Sequence, residues 1–300
     1  MAVSAIIPHR NSGELLDRCL DALAACRGVD EVVVADEGST DGSAERAAVR
    51  DGVRVIDSPG RGFAVAMNAG IGVARGEWLL LMNSDAFVRP DTVERLRRRL
   101  EDDPRLALCG AALVEPTGEP SKSHAHLFTL RRAFVDALNI RPAIPSSGKG
   151  IQLVEAVFPT CALARRTAVE SVSGFDERFL FYYEDMDLCR RLHAAGWEQA
   201  VDWDATAVHV SGGSTSAGQR QRWFRQYHES RLVYLRKHYP RGWLAYLALW
   251  APKALVHALA WRARAAVRHR RRDAAGETVA REWASSFVAS AFPFRRPLTG

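Results

Sequence analysis

The sequence predicts an α/β fold: a doubly wound, mostly parallel sheet with helices on both faces, followed by C-terminal helices that associate with a membrane. Three observations predict it. Short apolar runs alternate with amphipathic stretches in the first half of the chain, polar clusters directly follow these runs, and an apolar segment near the C-terminus precedes a run of arginines. Strands that alternate with helices form parallel sheets, in which ligands bind at the carboxyl ends of the strands.

Four apolar runs are predicted strands, namely Val3–Ile7, Glu31–Ala35, Val53–Ile56 and Trp78–Met82. Between the first two we predict a helix with Asn11 as N-cap and Glu14 three residues later, as in a capping box. Its apolar stripe consists of Leu15, Leu16, Cys19, Leu20 and Leu23. A second helix is predicted over Asp91–Leu100 after Pro90, and a long one over Arg220–His238.

The stretch from Glu115 to Gly150 is predicted to be mostly loop, because prolines recur in it and a Ser-Ser-Gly run interrupts it. Such a loop suits either a mobile flap beside a site or a variable surface insertion. The sequence leaves both interpretations open.

The segment Trp243–Trp261 is apolar apart from Lys253 and His257, and it contains Pro252. A helix needs about 20 residues to span a hydrocarbon core, so this one is marginal. Six arginines and no acid follow it between Arg262 and Arg272, and their +6 equals the net charge of the whole chain. This arrangement favours a helix lying in the interface of an anionic membrane. A core or dimerisation helix is the alternative. A second, mildly apolar segment, Trp283–Phe294, is expected to pack with this first one.

The composition excludes several classes of protein. With 47% hydrophobic and 25% charged residues, the chain is globular. Its five scattered cysteines indicate buried, reduced thiols and neither a disulfide framework nor a zinc site. The first residues lack a basic region, so no signal peptide is expected. Because the excess positive charge lies in one terminal segment, a nucleic-acid partner is not expected.

Four polar clusters follow predicted strands or lie in the second half of the chain. The first two are Pro8-His9-Arg10-Asn11 and Asp36-Glu37-Gly38-Ser39, and a carboxylate there accepts hydrogen bonds from a base or ribose as readily as it caps a turn. The third, Asn83-Ser84-Asp85, offers the oxygen ligands that Mg²⁺ or Mn²⁺ prefers. By itself each motif is equally typical of an ordinary turn.

The fourth cluster runs from Gly174 to Leu188 and holds several acids and two tyrosines, a set that is costly to bury without a purpose. An aspartate here is able to act as a general base on a hydroxyl. We predict that Asp185 faces the cleft, while Asp187 complements the dipole at a helix N-terminus. Adjacent carboxylates do not suit glycoside hydrolysis from opposite faces. The segment after the first strand lacks a dinucleotide-binding glycine fingerprint.

Taken in order, the motifs AIIPHRN, ADEGSTDGS, GFAVAMNAGI, LLLMNSDA, GFDERFLFYYEDMDLCRRL and HVSGGS resemble glycosyltransferase family 2 over about residues 3–240. The resemblance implies the GT-A fold, an inverting transfer from a nucleotide diphosphate sugar, and a divalent metal, Mg²⁺ or Mn²⁺. Within the family, the pattern looks most like bacterial rhamnosyltransferases that act on sugars linked to polyprenyl diphosphate.

The resemblance also implies roles for individual residues. The residues implied to bind the nucleotide sugar are Pro8, Arg10, Asp36, Arg61, Asn68, Asn83 and Asp85. Asp85, the last position of the family's DxD motif, and His209 are implied metal ligands. Asp185 matches the catalytic base, and Glu184 is placed beside the acceptor. The chain departs from the family pattern at Asn83, where the motif has an acid, and at Ala64-Val65-Ala66, where it is rich in glycine.

These matches predict a glycosyltransferase domain at 1–240, with a nucleotide-sugar half at 1–115 and an acceptor half at 116–240, and a membrane-associating region at 241–300. The expected reaction moves rhamnose from dTDP-rhamnose onto a lipid-linked glycan at the cytoplasmic face of the bacterial cell membrane. A UDP- or GDP-sugar with another acceptor is the enzymatic alternative. A catalytically silent carbohydrate- or lipid-binding protein of the same fold is the alternative from another class.

Overall fold

The computed structural model describes residues 2–58, 60, 62–137, 148–210, 217–270 and 273–291. The chain forms two compact units. The first, called here the α/β unit, comprises Met1–Leu127, Ile144–Leu180 and Glu184–Ser211. The second, called the helical unit, comprises Phe128–Ala143, Phe181–Tyr183 and Gly212–Gly300. The functional division expected at residues 115 and 240 stays a prediction.

The strands of the α/β unit include the four that the sequence predicts. In chain order the described strands are β1 (Val3–His9), β2 (Glu31–Asp36), β3 (Val53–Asp57), β4 (Trp78–Met82), β5 (Ala86–Val88), β6 (Leu106–Val114), β7 (His124–Ala125), β8 (Ile151–Val154), β9 (Ala156–Val157), β10 (Cys161–Arg165) and β11 (Glu198–His209). Nine of them form one sheet, and β7 pairs with β9 separately. The predicted strands are confirmed as β1 to β4.

The large sheet is mostly parallel, as predicted. Its order is β3-β2-β1-β4-β10-β6-β11-β5, with β8 also paired to β11. Neighbours from β3 to β4 are parallel, as are β6 and β11. Three strands run antiparallel to their neighbours: β10 between β4 and β6, and β5 and β8 against β11. The carboxyl ends of β1, β2 and β4 therefore lie at one edge.

Helices cover both faces of this sheet. The described helices of the α/β unit are α1 (Glu14–Ala24), α2 (Ser43–Ala48), α3 (Phe63–Val73), α4 (Thr92–Asp102), α6 (Arg166–Ser171) and α7 (Glu184–Ala194). Alternate residues of β4 point to opposite faces: Leu80 packs in a core with α1 and α4, and Leu81 packs in a core with α3, α6 and α7. The continuous apolar runs of the central strands reflect this burial on both faces.

The predicted capping box at Asn11 is wrong. Helix α1 begins at Glu14, its N-cap is Gly13, and no side chain caps it. Asn11 has φ +48°, and its Oδ1 accepts a hydrogen bond from the Thr40 N–H at 2.8 Å. The side chain therefore holds the loop that follows β2, and it is not available to cap its own helix. The predicted stripe of α1 is otherwise buried, with Leu15 at its margin.

The helical unit includes a helix where the sequence predicts a loop. It contains α5 (Leu130–Ala137), α8 (Ala217–His238), α9 (Trp243–Arg270) and α10 (Ala274–Ala291). The expectation for Glu115–Gly150 is thus wrong for β7 and α5, and residues 138–147 lie outside the described part. The predicted helix Arg220–His238 is confirmed within α8. Leu235, Tyr246 and Trp250 are buried in one apolar cluster, so one face of α9 is core.

Arg231 of α8 has four hydrogen-bond partners within this unit. Its guanidinium donates to the hydroxyls of Tyr183 (2.9 Å), Tyr246 (2.7 Å) and Tyr227 (2.7 Å), and to Oδ2 of Asp136 (2.5 Å). The side chain is almost completely buried, and it lies over the ring of Tyr227. A buried arginine is tolerable only when its donors are satisfied, so this set of partners is a condition for the packing of α8.

We predict that Arg231→Met destabilises the helical unit by about 3 kcal/mol, because tyrosine hydroxyls and a carboxylate lose a charged partner. Arg225→Met, an exposed arginine of the same helix, is the control, with an effect below about 1 kcal/mol. Urea unfolding followed by tryptophan fluorescence measures both, since most of the tryptophans lie in this unit: Trp223, Trp243, Trp250, Trp261 and Trp283. Equal midpoints for the two variants would contradict the prediction.

Candidate active site

The predicted nucleotide-sugar residues at the ends of β1 and β2 lie side by side. Pro8 is buried in β1, where it pairs with Ala35, and Arg10 is exposed after the strand. Asp36 ends β2 and is buried. Its carboxylate accepts hydrogen bonds from the N–H of Gly38 (3.2 Å) and from the N–H and hydroxyl of Ser39 (3.0 and 2.5 Å). Asp36 therefore shapes the loop after β2, and the nucleoside contact stays a prediction.

Glu37 is a site residue that the sequence reasoning missed. Its Oε1 accepts a hydrogen bond from the Gly62 N–H at 2.8 Å, which ties the end of β2 to the start of α3. Burial raises the pKa of Glu37, against the lowering effects of the Gly62 hydrogen bond and of Arg10. No local signal distinguishes Glu37 from Asp36 beside it. Arg61, predicted to approach the diphosphate, lies outside the described residues.

Asp85 and His209, the predicted metal ligands, lie together. His209 ends β11, and it pairs with Ala86 of β5, next to Asp85. Nε2 of His209 is 3.4 Å from Oδ1 of Asp85. That distance is long for a hydrogen bond. Oδ1 is buried, and within the described part of the chain it has no hydrogen-bond partner.

A buried acceptor oxygen without a proton to accept is the kind of atom that a cation satisfies. Asp85 and His209 supply one oxygen and one nitrogen ligand, and a diphosphate supplies further oxygens to Mg²⁺ or Mn²⁺. No group of three or more His, Cys, Asp or Glu side chains suitable for a metal occurs among the described residues. With one oxygen and one nitrogen ligand, the Asp85–His209 pair fits a metal that also binds a phosphate ligand. Asn83 directly follows β4, and its N–H donates to the carbonyl of Thr160 (3.1 Å).

Glu184 and Asp185 open helix α7, and the two residues before them have an unusual backbone. Tyr182 and Tyr183 have φ of +70° and +69°, in the left-handed region that non-glycine residues rarely occupy. Glu184 is only 7% exposed, and its Oε2 has no hydrogen-bond partner among the described residues. Oδ1 of Asp185 accepts from the Met186 N–H at 2.7 Å. Asp187, expected at the helix N-terminus, is fully buried and pairs with Arg191 (2.7 Å).

The surroundings of Asp185 are mostly apolar. Asp185 keeps some exposed surface, but it borders a small cavity whose other walls include Leu81, Phe175 and Leu188. Burial raises the pKa of Asp185 to about 6. Burial, and secondarily the neighbouring Asp185, raise the pKa of Glu184 well above its usual range. A carboxylate with a pKa of about 6 is deprotonated at neutral pH and is still basic enough to take a proton from a hydroxyl in a transition state.

Asn68 of α3, predicted to approach the sugar donor, bonds to the loop that precedes α7. Its Oδ1 accepts from the Phe175 N–H (2.9 Å), and its Nδ2 donates to the Phe175 carbonyl (2.8 Å) and to Oε1 of Glu177 (3.1 Å). Among the predicted site residues that the structure describes, the direct side-chain contact is the Asp85–His209 pair. Asp36 and Asn68 bond to backbone and side-chain atoms of loop residues, and Asp185 bonds to the backbone of α7.

Comparisons with known proteins agree with this architecture. The model of the family "Glycosyl transferase family 2" matches residues 4–172. The N-acetylglucosaminyl-diphospho-decaprenol L-rhamnosyltransferase of Mycobacterium tuberculosis is 28% identical over 258 residues, which cover 78% of this chain and 83% of that protein. The succinoglycan biosynthesis protein ExoO of Rhizobium meliloti is 43% identical over 222 residues, 71% of this chain and 62% of ExoO.

A solved mannosyltransferase of Pyrobaculum calidifontis, in complex with GDP-Man and Mn²⁺, superimposes with a TM-score of 0.57 and 19% identity, covering 98% of this chain and 88% of its own. This likeness concerns the fold, which is of the GT-A type that the sequence predicts. The family match spans more than half of the chain. The chain therefore belongs to glycosyl transferase family 2.

Proposed function

We propose that the protein is an inverting, metal-dependent glycosyltransferase that moves a sugar from a nucleoside diphosphate onto a lipid-linked glycan. The observation that carries the proposal is the pair of desolvated carboxyls at the start of α7, one of which, Asp185, has a pKa of about 6. The Asp85–His209 pair supports the metal requirement. Family membership supports the reaction class.

The reaction follows from the chemistry of these groups. A carboxylate oxygen of Asp185 takes the proton of the acceptor hydroxyl while the hydroxyl oxygen attacks the anomeric carbon of the donor sugar. The bond from that carbon to the diphosphate oxygen breaks, and its electron pair leaves with the diphosphate. One displacement inverts the anomeric configuration. When bound at Asp85 and His209, a divalent cation supplies the positive charge that stabilises the leaving diphosphate.

The first choice of substrates is dTDP-rhamnose and an acceptor linked to polyprenyl diphosphate, as part of cell-wall or surface polysaccharide synthesis. The mycobacterial relative is named as a rhamnosyltransferase on a decaprenol-linked sugar, and it matches most of both chains. The alternative is a UDP- or GDP-sugar, since the structural neighbour from Pyrobaculum calidifontis holds GDP-Man.

The same proposal puts the protein at the cytoplasmic face of the membrane, attached through α9. Among the described residues, α9 is the one helix long and apolar enough to cross a bilayer, by length and composition only. The face of α9 opposite its core contacts exposes apolar residues: Leu244, Leu249, Val256, Leu259 and Val267. Exposed arginines follow at 262, 264, 268 and 270. An apolar stripe beside cations suits an anionic lipid surface. The five cysteines are free and buried, as expected in a reducing compartment.

We predict that Asp185→Asn lowers the transfer rate by about 10²–10⁴-fold, because the amide cannot take a proton. Affinity for the nucleotide sugar is expected to stay unchanged, since the base acts on the acceptor. Steady-state rates and calorimetric titration with the sugar donor measure the two quantities. Asp102→Asn, the same change at an exposed carboxylate, is the control. Transfer near the wild-type rate in Asp185→Asn would remove this residue from the mechanism.

Removing either proposed metal ligand is expected to weaken binding of the sugar donor. Asp85→Asn and His209→Ala should each weaken Mn²⁺-dependent binding of a nucleoside diphosphate by at least about tenfold, and a chelator should do the same to the wild type. Calorimetry with and without Mn²⁺ measures this effect without turnover. Asp51→Asn, at an exposed turn, should bind like the wild type. Undiminished binding of the nucleoside diphosphate in chelator would exclude the metal role.

The membrane surface is tested on the exposed face of α9. The double variant Val256→Asp/Leu259→Asp should lose co-sedimentation with anionic vesicles, because these side chains are 65% and 64% exposed and do not support the core. Salt should weaken binding of the wild type, since exposed charges are screened within about 8–10 Å. Val49→Asp, at an exposed apolar residue of the α/β unit, is the control. A wild type absent from both neutral and anionic pellets would contradict the membrane claim.

A further inference from the structure

Helix α3 holds the loop that leads into α7 at two points. At its start, the Phe63 N–H donates to the carbonyl of Leu180 (3.3 Å), and a Cβ on Gly62 would lie 2.2 Å from that oxygen. One and a half turns later, Asn68 pairs with both backbone groups of Phe175. The loop 174–180 therefore runs along α3, whose first residues are bound in turn by Glu37.

The amide of Asn68 has no hydrogen left for a diphosphate. A primary amide nitrogen carries two N–H bonds, and both are used, one on the Phe175 carbonyl and one on Glu177. The remaining polar atom, Oδ1, is an acceptor, and phosphate oxygens are acceptors too. Contact with the diphosphate would require Asn68 to break one of these bonds.

Gly174 leaves room for the contact between Asn68 and Phe175 because it has no side chain. Its φ is +67°, and a Cβ there would lie 2.7 Å from Oδ1 of Asn68. A side chain at this position would therefore strain the backbone and displace the amide as well. Two residues far apart in the sequence thus depend on each other.

Phe175 connects the loop 174–180 to α7 through apolar packing. Its ring is buried in the cluster that contains Leu188 and Cys189 of α7. It also packs edge to face on Phe63 of α3, with 6.1 Å between the ring centroids. The same ring borders the cavity that Asp185 lines. A shift of Phe175 would therefore move the first turns of α7, on which Asp185 lies.

We propose that Asn68 is a positioning residue that fixes the Gly174–Phe175 turn, and through Phe175 the helix that carries Asp185, instead of binding the sugar donor. The inference rests on the proposed role of Asp185 as the base. A misplacement of about 1 Å can cost about 10²-fold in rate, so kcat is the quantity expected to fall.

The test compares Asn68→Asp, Gly174→Ala and the double variant. Each single variant should lower kcat by about tenfold to 10²-fold and leave the calorimetric affinity for the nucleotide sugar unchanged. In the double variant, kcat should fall by much less than the product of the two single-variant factors, because both changes break the same contact. Gly72→Ala is the matched control. Gly72 lies on the same helix as Asn68, a Cβ there would meet no atom within 4 Å, and the variant should retain activity.

A tenfold loss of sugar-donor affinity in Asn68→Asp with kcat retained would overturn the inference in favour of a donor contact. Independent, multiplicative effects of the two variants would overturn it as well. Amide hydrogen exchange at Phe175 separates this failure from failure of the proposed function. In Asn68→Asp, the new carboxylate oxygen would face the Phe175 carbonyl and the Glu177 carboxylate, and this repulsion should displace the side chain from the Phe175 N–H. Faster exchange in Asn68→Asp and in Gly174→Ala is therefore expected whether or not Asp185 is the base, and unchanged exchange in both would sink the positioning role.

Discussion

The site depends on the burial of two consecutive carboxyls, Glu184 and Asp185, at the start of one helix. A buried carboxylate loses its hydration, so both groups favour the protonated form more than they would in water, and the charge of Asp185 adds to this effect at Glu184. The surroundings then decide how basic Asp185 is. Its pKa of about 6 follows chiefly from desolvation, and the cavity that it borders is lined mostly by apolar side chains. Phe175, which is buried in the apolar cluster on this face of the sheet, lines the same cavity and contributes to that desolvation.

Much of the α/β unit could be predicted from the sequence, because its central strands are short apolar runs that alternate with amphipathic helices, a pattern typical of a parallel sheet buried on both faces. The antiparallel strands β5, β8 and β10 could not be predicted, because strands this short have no hydrophobic periodicity that distinguishes them from loops. The misplaced cap at Asn11 has another cause. Its local pattern fits a capping box, but the side chain bonds to Thr40 across the sheet edge, and local patterns contain no information on such partners.

The candidate site was predictable to a similar degree. Asp85 and His209 are distant in the chain, and only the order of the motifs linked them; the pairing of β5 with β11 brings them to 3.4 Å. Glu37 carried no distinguishing signal, because its role is a hydrogen bond to a remote glycine. Asn68 was placed at the sugar donor by resemblance, whereas its three hydrogen bonds go to Phe175 and Glu177 in the loop before α7. Which strand ends carry polar site residues can thus be predicted from the sequence. The hydrogen-bond partner of each polar atom cannot.

The proposed transfer requires Asp185 to act as a base with a raised pKa. The most direct measurement is the pH dependence of kcat at saturating sugar donor and acceptor, from about pH 5 to about pH 8. Because the base must be deprotonated, kcat should rise about tenfold per pH unit below a midpoint near the pKa of Asp185, about 6, and level off above it. A kcat that stays constant down to pH 5 or falls from pH 6 to pH 8 would contradict this role of Asp185.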